Sequence, residues 1–287
     1  MTVSVIITTK DRDIYLLRSI YSVINQSVKP KEIIIIDDAS LSKLDISSLL
    51  LKCKEKNIEL IYHYNVKNMG GNYCRNLGVR ISKEDIIMFL DDDDMWLENK
   101  IRDQLALIRK GHKFIYSGKQ FVKSTNLNKI IRLSKENNNP QNIWCGNFPG
   151  TTSGIALDKN IFIKAGGFDE QLKSLQDYDL WIRILRQTNA YWDQKYNVVY
   201  TIHAVRNKQI SSNTENHIES IRYIYSKYSE ELKSLDKKTY NIFKSRMLHV
   251  IARSFRKNGQ IEFFKYWLKS IYIKPSIRTF MLLFFYK

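Results

Sequence analysis

Short apolar runs alternate with amphipathic segments through the first ninety residues of the chain. Four of these runs are rich in β-branched residues and predict strands, at Val3–Thr8, Glu32–Asp37, Ile58–Tyr64 and Ile86–Leu90. Between them, Asp13–Gln26 has apolar residues at helical spacing, and Gly71–Ile81 predicts a helix that begins at a glycine. Strands that alternate with helices predict an α/β fold with a doubly wound, mixed but mostly parallel sheet.

In the remaining chain the periodicity of apolar residues is weaker and mostly predicts helices. Trp96–Gln104 predicts a helix after the fourth strand, and Asp177–Gln187 predicts an amphipathic helix with two acidic residues in its first turn. From about His217 onward the chain is helical and basic. A helix over Gln260–Ile273 would place four apolar residues on one face, and these are Ile261, Phe264, Leu268 and Ile271.

Polar clusters follow three of the predicted strands: TTKDR at 8–12, DDAS at 37–40 and DDDD at 91–94. Each cluster alone has an ordinary local interpretation as a turn or helix cap. The carboxyl ends of parallel strands meet at one edge of the sheet, where ligands of such folds bind. Three clusters at this edge therefore indicate a ligand site.

The four consecutive carboxylates at 91–94 point to a cation. Like charges this close repel one another unless they stay solvated or meet a positive partner. Carboxylate oxygens in a site with open positions suit Mg²⁺ or Mn²⁺, shared with the phosphates of a substrate. This interpretation predicts a nucleoside diphosphate ligand, and its alternative is a solvated acidic cap on the following helix.

Three further features are candidates for chemistry. Asp177 or Asp179, in the first turn of its helix, could accept a proton from an attacking hydroxyl, or both could simply cap the helix. Arg75 follows a Gly-Gly pair and could hold a phosphate. His203 could be a ligand, although a lone histidine is more often structural.

Charge and cysteine content narrow the class of protein. Lys and Arg total 46 against 29 Asp and Glu, which favours an anionic partner. Residues 241–287 contain ten Lys or Arg and one acid, Glu262. Three cysteines without CxxC spacing argue against a disulfide framework and a zinc site, and fit a reducing cytosol. We find no signal-peptide pattern, and the longest apolar stretch, Phe280–Tyr286, is too short to span a bilayer.

The ordered motifs resemble those of the family 2 glycosyltransferases of bacterial polysaccharide, capsule and lipo-oligosaccharide assembly. The motifs are VSVIITTKDR, IIIIDDAS, NMGGNYCRNLG, IIMFLDDDDMW, GTTSG, GGFDE and LQDYDLW, and they cover roughly residues 2–215. The resemblance implies a GT-A fold, a nucleotide-sugar donor, a divalent metal (Mn²⁺ or Mg²⁺) and inversion at the anomeric carbon.

The resemblance also assigns roles to individual residues. Asp177 matches the general base of the family, and Asp93 matches the metal ligand. His203 is a second candidate metal ligand on its own chemistry, apart from the resemblance, and could alternatively donate to a phosphate. Asp91 or Asp92 would face the ribose, and Thr8 and Asp38 the nucleobase, with uridine expected. The full set of predicted nucleotide-sugar contacts is Thr8, Lys10, Arg12, Asp38, Arg75, Asp91 and Asp92.

We therefore predict a glycosyltransferase that moves a sugar from a nucleotide-diphosphate donor to a glycan or lipid-linked acceptor in surface polysaccharide assembly. Residues 1–215 would form the catalytic domain, with the donor half at about 1–95 and the acceptor half at about 96–215. Residues 216–287 would form a basic helical extension, either an interfacial membrane anchor or a packed subdomain with a solvated basic face. The expected location is the cytoplasm, peripheral on the inner face of the cell membrane.

Two other function classes compete with this prediction. A sugar nucleotidyltransferase would have a Gly-rich phosphate loop after its first strand, and TTKDR contains no glycine. A protein that binds nucleic acid or another anionic surface would use the positive charge and the Lys-aromatic pattern of the last residues. We expect no nucleic-acid partner.

Overall fold

The computed structural model describes residues 1–136, 142–203 and 213–284. Contacts divide the chain into two compact units. The first unit contains Met1–Asn139, Pro149–Glu170 and Leu180–Ile202, and the second contains Pro140–Phe148, Gln171–Asp179 and His203–Lys287. The donor half, the acceptor half and the C-terminal extension that we predicted from the sequence stay predictions, because the two units are defined by contacts and not by function.

The described strands all belong to the first unit and form two sheets. The strands are β1 Val3–Thr9, β2 Glu32–Asp37, β3 Glu59–Tyr64, β4 Ile86–Asp91, β5 Met95–Trp96, β6 Phe114–Tyr116, β7 Lys119–Lys123, β8 Asn126–Leu133, β9 Ile155–Asp158, β10 Ala190–Trp192 and β11 Val198–Ile202. The larger sheet has the order β10-β6-β9-β4-β1-β2-β3, and the smaller has the order β5-β11-β7-β8. Within the larger sheet only β9 runs antiparallel to its neighbours. The predicted mixed, mostly parallel sheet is confirmed.

Helices cover the larger sheet and make up most of the second unit. They are α1 Asp13–Ile24, α2 Ser47–Glu55, α3 Gly71–Ile81, α4 Lys100–Ile108, α5 Lys159–Lys164, α6 Gln176–Leu185, α7 Thr214–Lys227, α8 Ser229–Ser234, α9 Lys237–Lys257, α10 Phe263–Ile273 and α11 Ile277–Phe280. The helical C-terminal region is therefore as predicted.

The strand order places a ligand crevice between β1 and β4. β1 pairs in parallel with β2 on one side and with β4 on the other, so the direction of winding reverses between β1 and β4. Both strands are almost completely buried, which their β-branched residues favour. In open α/β sheets the crevice lies beyond the carboxyl ends of the strands at such a reversal. Thr9 and Asp91 end the two strands there.

The predicted elements agree with the structure except at a few boundaries. Glu32–Asp37 and Gly71–Ile81 have the predicted bounds. The prediction of a helix from Trp96 was wrong, because Trp96 lies in β5 and pairs with Val198, and the helix begins at Lys100. The helix Ser47–Glu55 was not predicted; it buries Leu49 and Cys53 and leaves Leu50 and Leu51 exposed.

All three cysteines are free thiols, as their spacing predicted. Cys53 and Cys74 are buried, and Cys145 is half-buried. Among the residues that the structure describes, no helix is both long enough and apolar enough to cross a bilayer.

Gly78 brings α3 close to β1, and this contact yields a test of the packing. A Cβ atom at position 78 would lie 2.4 Å from Cγ2 of Ile6. We expect Gly78→Ala to lower the free energy of unfolding by about 1–3 kcal/mol, because overpacking outweighs the helix propensity that alanine gains. Urea denaturation measures the change. In an Ile6→Ala background the same substitution should cost less, and equal costs in both backgrounds would contradict the proposed clash.

Candidate functional site

The four carboxylates at 91–94 alternate between the crevice and the interior. Asp91 and Asp93 keep 26% and 13% of their side-chain surface exposed, whereas Asp92 keeps 7%. Asp94 is fully enclosed. The backbone N–H of Asp94 donates to the carbonyl oxygen of Asp91 at 3.0 Å, so the four residues form a turn. The two more exposed side chains of this turn, Asp91 and Asp93, are the D-x-D pair that faces the crevice.

Asp92 is fixed by the last residue of β1 and by an arginine that follows this strand. Thr9 Oγ1 donates to Asp92 Oδ2 at 2.8 Å, and Arg12 Nη1 lies 3.1 Å from Asp92 Oδ1. Burial raises the pKa of Asp92 to about 6, and the charge of Arg12 opposes that shift. Asp92 thus connects β4 to the 8–12 segment, and its predicted contact with ribose stays a prediction.

Asp94 has a similar structural environment. Ser153 Oγ donates to Asp94 Oδ2 at 2.7 Å, and the backbone N–H of Thr201 donates to Oδ1 at 3.0 Å. Burial raises the pKa of Asp94 well above its usual range, and Asp93 and Asp91 add to the shift. Ser19 Oγ reaches the carbonyl oxygens of Asp92 and Asp94 from α1. The backbone of the acidic segment is therefore fixed as firmly as its buried side chains.

Asp91 lies in the crevice beside Arg75. Arg75 Nη2 donates to Asp91 Oδ1 at 2.7 Å, and Thr152 Oγ1 reaches both Asp91 oxygens at 3.1 and 3.2 Å. The other terminal nitrogen of Arg75, Nη1, is buried and has no hydrogen-bond partner among the residues that the structure describes. It faces Gly71, where a Cβ atom would approach it to 3.1 Å. A buried guanidinium nitrogen without an acceptor is costly, which marks a place for an anionic or carbonyl oxygen.

Asp93 forms the second half of the crevice pair. Arg12 Nη1 lies 2.9 Å from Asp93 Oδ2 and so bridges Asp92 and Asp93. Arg18 donates to the backbone carbonyl of Asp93 and, at 2.7 Å, to Thr201 Oγ1. Two arginines therefore contact this one residue, through its side chain and its backbone.

The residues of the crevice fit a metal ion that is shared with a substrate. No group of three His, Cys, Asp or Glu side chains placed to hold a metal occurs in residues 1–136, 142–203 and 213–284. Mg²⁺ and Mn²⁺ commonly take one or two protein carboxylates and complete their shell with phosphate oxygens and water. Asp93, with Asp91 beside it, supplies such a partial ligand set.

Asp38 holds the turn that leads into α3. Its two oxygens accept hydrogen bonds from Asn65 Nδ2 at 3.0 Å and from the backbone N–H groups of Met69 and Gly70, both at 2.7 Å. Gly70 has φ +90°, a left-handed conformation that favours glycine. This turn also starts the helix that carries Arg75. The predicted contact between Asp38 and a nucleobase remains a prediction.

The two remaining residues predicted from the first motif differ in exposure. Thr8 is half-buried near the end of β1, and Lys10 is exposed just beyond it. Thr8 pairs with Ile36 and with Asp91 in the parallel sheet. Both residues therefore lie at the same edge of the sheet as the carboxylates.

The loop at 151–154 reaches the carboxylates because two side chains of the interior hold its backbone. Trp96 Nε1 donates to the carbonyl oxygen of Ser153 and Gln104 Nε2 donates to that of Gly154, both at 2.8 Å. Trp96 and Gln104 are both buried. They fix the hydroxyls of Thr152 and Ser153 against the acidic segment.

Asp177 and Asp179 both lie in the first turn of α6, as predicted, but only Asp177 is half-exposed. Asp179 is fully buried and pairs with Lys227 Nζ at 2.8 Å and with the Tyr228 hydroxyl at 2.7 Å. Asp177 Oδ2 accepts from Asn147 Nδ2 at 2.9 Å. All of these residues belong to the second unit. Asp179 is therefore part of a buried ion pair, and Asp177 is the acid that solvent reaches.

His203, the other predicted metal ligand, is buried and belongs to the second unit. Its role as a ligand stays a prediction, since the described part of the chain contains no three-residue metal cluster.

Comparison with known proteins identifies the family. The sequence profile of Glycosyl transferase family 2 matches residues 4–172, more than half of the chain. The chain belongs to glycosyltransferase family 2. A family 2 glycosyltransferase is a transferase, so the predicted family and the class of enzyme are confirmed.

Relatives and solved structures agree with this assignment. The glycosyltransferase is similar to an uncharacterised glycosyltransferase of Rickettsia typhi, with 27% identity over 91% of this chain and 81% of the relative. It is also 25% identical to the Escherichia coli protein WfgD, described as a UDP-Glc:α-D-GlcNAc-diphosphoundecaprenol β-1,3-glucosyltransferase, over 65% of this chain and 71% of WfgD. The crystal structure of Staphylococcus aureus TarS 1–349 has a TM-score of 0.64 at 17% identity, over 98% of this chain and 81% of TarS 1–349. The predicted GT-A fold is confirmed.

Six residues that shape the glycosyltransferase site were given no individual role from the sequence, although Thr9 lies in the quoted segment TTKDR, and Thr152 and Ser153 lie in GTTSG. They are Thr9, Arg18, Ser19, Asn65, Thr152 and Ser153, and all contact one of the predicted acidic residues. For Ser19 the sequence pattern itself indicates a special role, because a hydroxyl-bearing residue lies among the buried apolar residues of α1. The others needed knowledge of which distant segments meet.

The raised pKa of Asp92 predicts a pH dependence of stability. The unfolded-state pKa is about 3.9, so the folded protein binds this proton more tightly. The contribution of Asp92 to stability is therefore present below that pH and is lost as pH rises towards 6. We expect the free energy of unfolding to fall across this window by about 3 kcal/mol more in the wild type than in Asp92→Asn.

Urea denaturation at the two ends of the window measures this difference. Glu55→Gln, an exposed carboxyl on α2, is the control and should follow the wild type. An equal fall in Asp92→Asn and the wild type would show that Asp92 titrates normally.

Proposed function

We propose that this glycosyltransferase uses a UDP-sugar as donor and transfers the sugar to a hydroxyl of a glycan or lipid-linked acceptor, with inversion. The observation that carries the donor part is the crevice at the β1–β4 reversal. There, two carboxylates two residues apart lie beside two arginines, and one arginine has a buried nitrogen without a partner. This combination suits a diphosphate that carries a divalent cation.

Arg75 and Arg12 are the arginines that we propose to contact the diphosphate or the nucleobase of the donor. Arg75 Nη1 supplies a donor that the protein itself does not use, and Arg12 supplies positive charge at the adjacent carboxylates. Uridine is proposed because TarS has been crystallised with UDP and with UDP-GlcNAc, at TM-scores of 0.53 and 0.56. The name of WfgD also specifies a UDP-glucose donor.

The proposed metal ligand is Asp93, with Mg²⁺ or Mn²⁺ completed by diphosphate oxygens and water. When bound, such an ion supplies positive charge for the leaving diphosphate. Arg12 already contacts Asp93 and would hold the carboxylate in position. Thr152 and Arg75 would do the same for Asp91.

Asp177 is the proposed general base. The acceptor hydroxyl oxygen would form a bond to the anomeric carbon as its proton passes to the Asp177 carboxylate. The bond between that carbon and the β-phosphate oxygen breaks, and UDP leaves with the electron pair. Asp177 is favoured over Asp179, because Asp179 is buried in a pair with Lys227.

We further propose a role in surface polysaccharide assembly. This role is supported by the name of WfgD, which specifies a sugar attached to diphosphoundecaprenol as the acceptor. The lipid-linked class of acceptor is thereby favoured, and the donor sugar and the linkage are left open.

Calorimetric titration of UDP tests the donor site. We expect UDP binding to depend on Mn²⁺ in the wild type, and Asp93→Ala to lose this dependence because it removes the proposed metal ligand. Asp85→Ala, an exposed carboxylate near the opposite end of β4, is the control and should bind as the wild type does. Absence of UDP binding with and without Mn²⁺ in the wild type would contradict the proposed donor.

Asp177→Asn tests the base. We expect sugar transfer to fall by a factor of about 10²–10⁴ while UDP affinity stays unchanged, because the amide cannot accept the proton. Radiolabelled UDP-glucose or UDP-GlcNAc, incubated with lipid extract of the source cells, measures transfer. Glu219→Gln, an exposed carboxyl of the same unit, is the control. Transfer at the wild-type rate in Asp177→Asn would overturn the assignment.

A further inference from the structure

The helix α10 exposes the apolar residues that a soluble helix normally buries. Phe264, Leu268 and Tyr272 are 48%, 58% and 91% exposed. Their spacing of four residues places them in one row along the helix. Ile261, just before α10, is 80% exposed. Two of the four residues of the predicted face, Phe264 and Leu268, therefore lie on the outward face of α10. Ile271 is half-buried, and Tyr272 of the exposed row was not part of the predicted face.

The opposite face of α10 is already occupied by the second unit's own core. Phe263 is buried in a cluster with Ala252 and Leu282. Ser270 is fully buried, and its hydroxyl donates to the carbonyl oxygen of Ser245 in α9 at 2.9 Å. The orientation of α10 is thus fixed by packing and hydrogen bonds, and the exposed row cannot turn inward without breaking them.

The helix α11 repeats this arrangement. Thr279 is buried, and its hydroxyl lies 3.0 Å from His249 Nδ1 of α9. On the other side of α11 and its continuation, Ile277, Phe280 and Phe284 are 81%, 53% and 65% exposed. Both helices bury one face against α9 and present an apolar row on the face away from it. We name the two rows, Phe264–Leu268–Tyr272 and Ile277–Phe280–Phe284, the outer rows.

The charges around the outer rows are mostly positive. Residues 261–284 contain four basic residues and one acidic residue, Glu262, which is exposed at the start of α10. Lys265 and Lys269 are exposed and directly follow Phe264 and Leu268, so they border the α10 row on one side. Lys274 is exposed between the two helices. Aromatic and aliphatic side chains bordered by lysines match the boundary between acyl chains and anionic headgroups.

We propose that the outer rows dock the protein onto an anionic membrane surface, with the apolar side chains among the acyl chains and the lysines at the headgroup phosphates. A second copy of the chain fits less well. In a symmetric dimer through this face the exposed lysines of both copies would be brought together, with one acidic residue per copy, Glu262, to offset them.

Vesicle co-sedimentation tests the proposal, with no nucleotide sugar present, so its result is independent of the transfer reaction. Vesicles of phosphatidylcholine mixed with phosphatidylglycerol should bind the wild-type protein, and vesicles of phosphatidylcholine alone should bind it far less. Phe264→Ser/Leu268→Ser should lower the vesicle partition coefficient about tenfold or more. Lys265→Glu/Lys269→Glu should abolish the preference for phosphatidylglycerol.

Matched controls separate docking from general effects of charge and hydrophobicity. Leu51→Ser/Ile163→Ser removes two apolar side chains of similar exposure in the first unit, and Lys54→Glu/Lys56→Glu makes the same change in net charge there. Both should bind vesicles as the wild type does. Thermal unfolding establishes that each variant is folded.

Two outcomes would overturn the proposal. One is a wild-type protein that stays in the supernatant with both kinds of vesicle, or outer-row variants that bind as well as their controls. The other is a wild-type dimer in analytical ultracentrifugation that Phe264→Ser/Leu268→Ser converts to a monomer, since the rows would then be an interface between copies.

Discussion

Two carboxylates, Asp92 and Asp94, are removed from water at the end of β4, and the local structure of the crevice follows from this desolvation. Burying an ionised carboxylate costs several kcal/mol unless hydrogen bonds and opposite charge offset it. The offset comes from Thr9, Arg12 and Ser153, which lie on two other segments of the first unit. Segments that are distant in sequence are therefore held together by the same groups that keep the acidic residues buried.

The turn at Asp91–Asp94 buries two carboxylates and leaves the other two partly exposed beside the arginines. The chain becomes extended only after this turn, where β5 pairs antiparallel with β11. Because Met95 and Trp96 take part in this pairing, the predicted helix does not form from Trp96.

A structural feature could be predicted from the sequence when the residues that cause it are close together in the chain. The bounds of Glu32–Asp37 and Gly71–Ile81 follow from apolar runs and a leading glycine, which are local signals. The convergence of acidic clusters at one edge followed from strand topology. The bridge from Arg12 to Asp92 and Asp93 was not readable, because it joins residues about eighty positions apart and depends on side-chain directions.

The outer rows illustrate a different limit of sequence reasoning. Apolar spacing identified Phe264 and Leu268 as members of one face of α10 but carried no information about whether protein or another phase covers that face. Which face of α10 is buried depends on which of its residues pack against the rest of the second unit. Phe263 and Ser270 fill the contact with the core and with α9, so the remaining apolar residues have no protein partner on that face among the described residues.

Charge balance connects the proposed donor and metal in the crevice. Without ligand, Arg12 and Arg75 offset the carboxylates that they contact, and the half-exposed pair is already partly compensated. A divalent cation alone would add positive charge beside two guanidinium groups, which disfavours its binding. A diphosphate alone would add negative charge beside Asp91 and Asp93. Metal and nucleotide together introduce nearly balanced charge, so on the proposed function each strengthens the binding of the other, and this coupling is reciprocal.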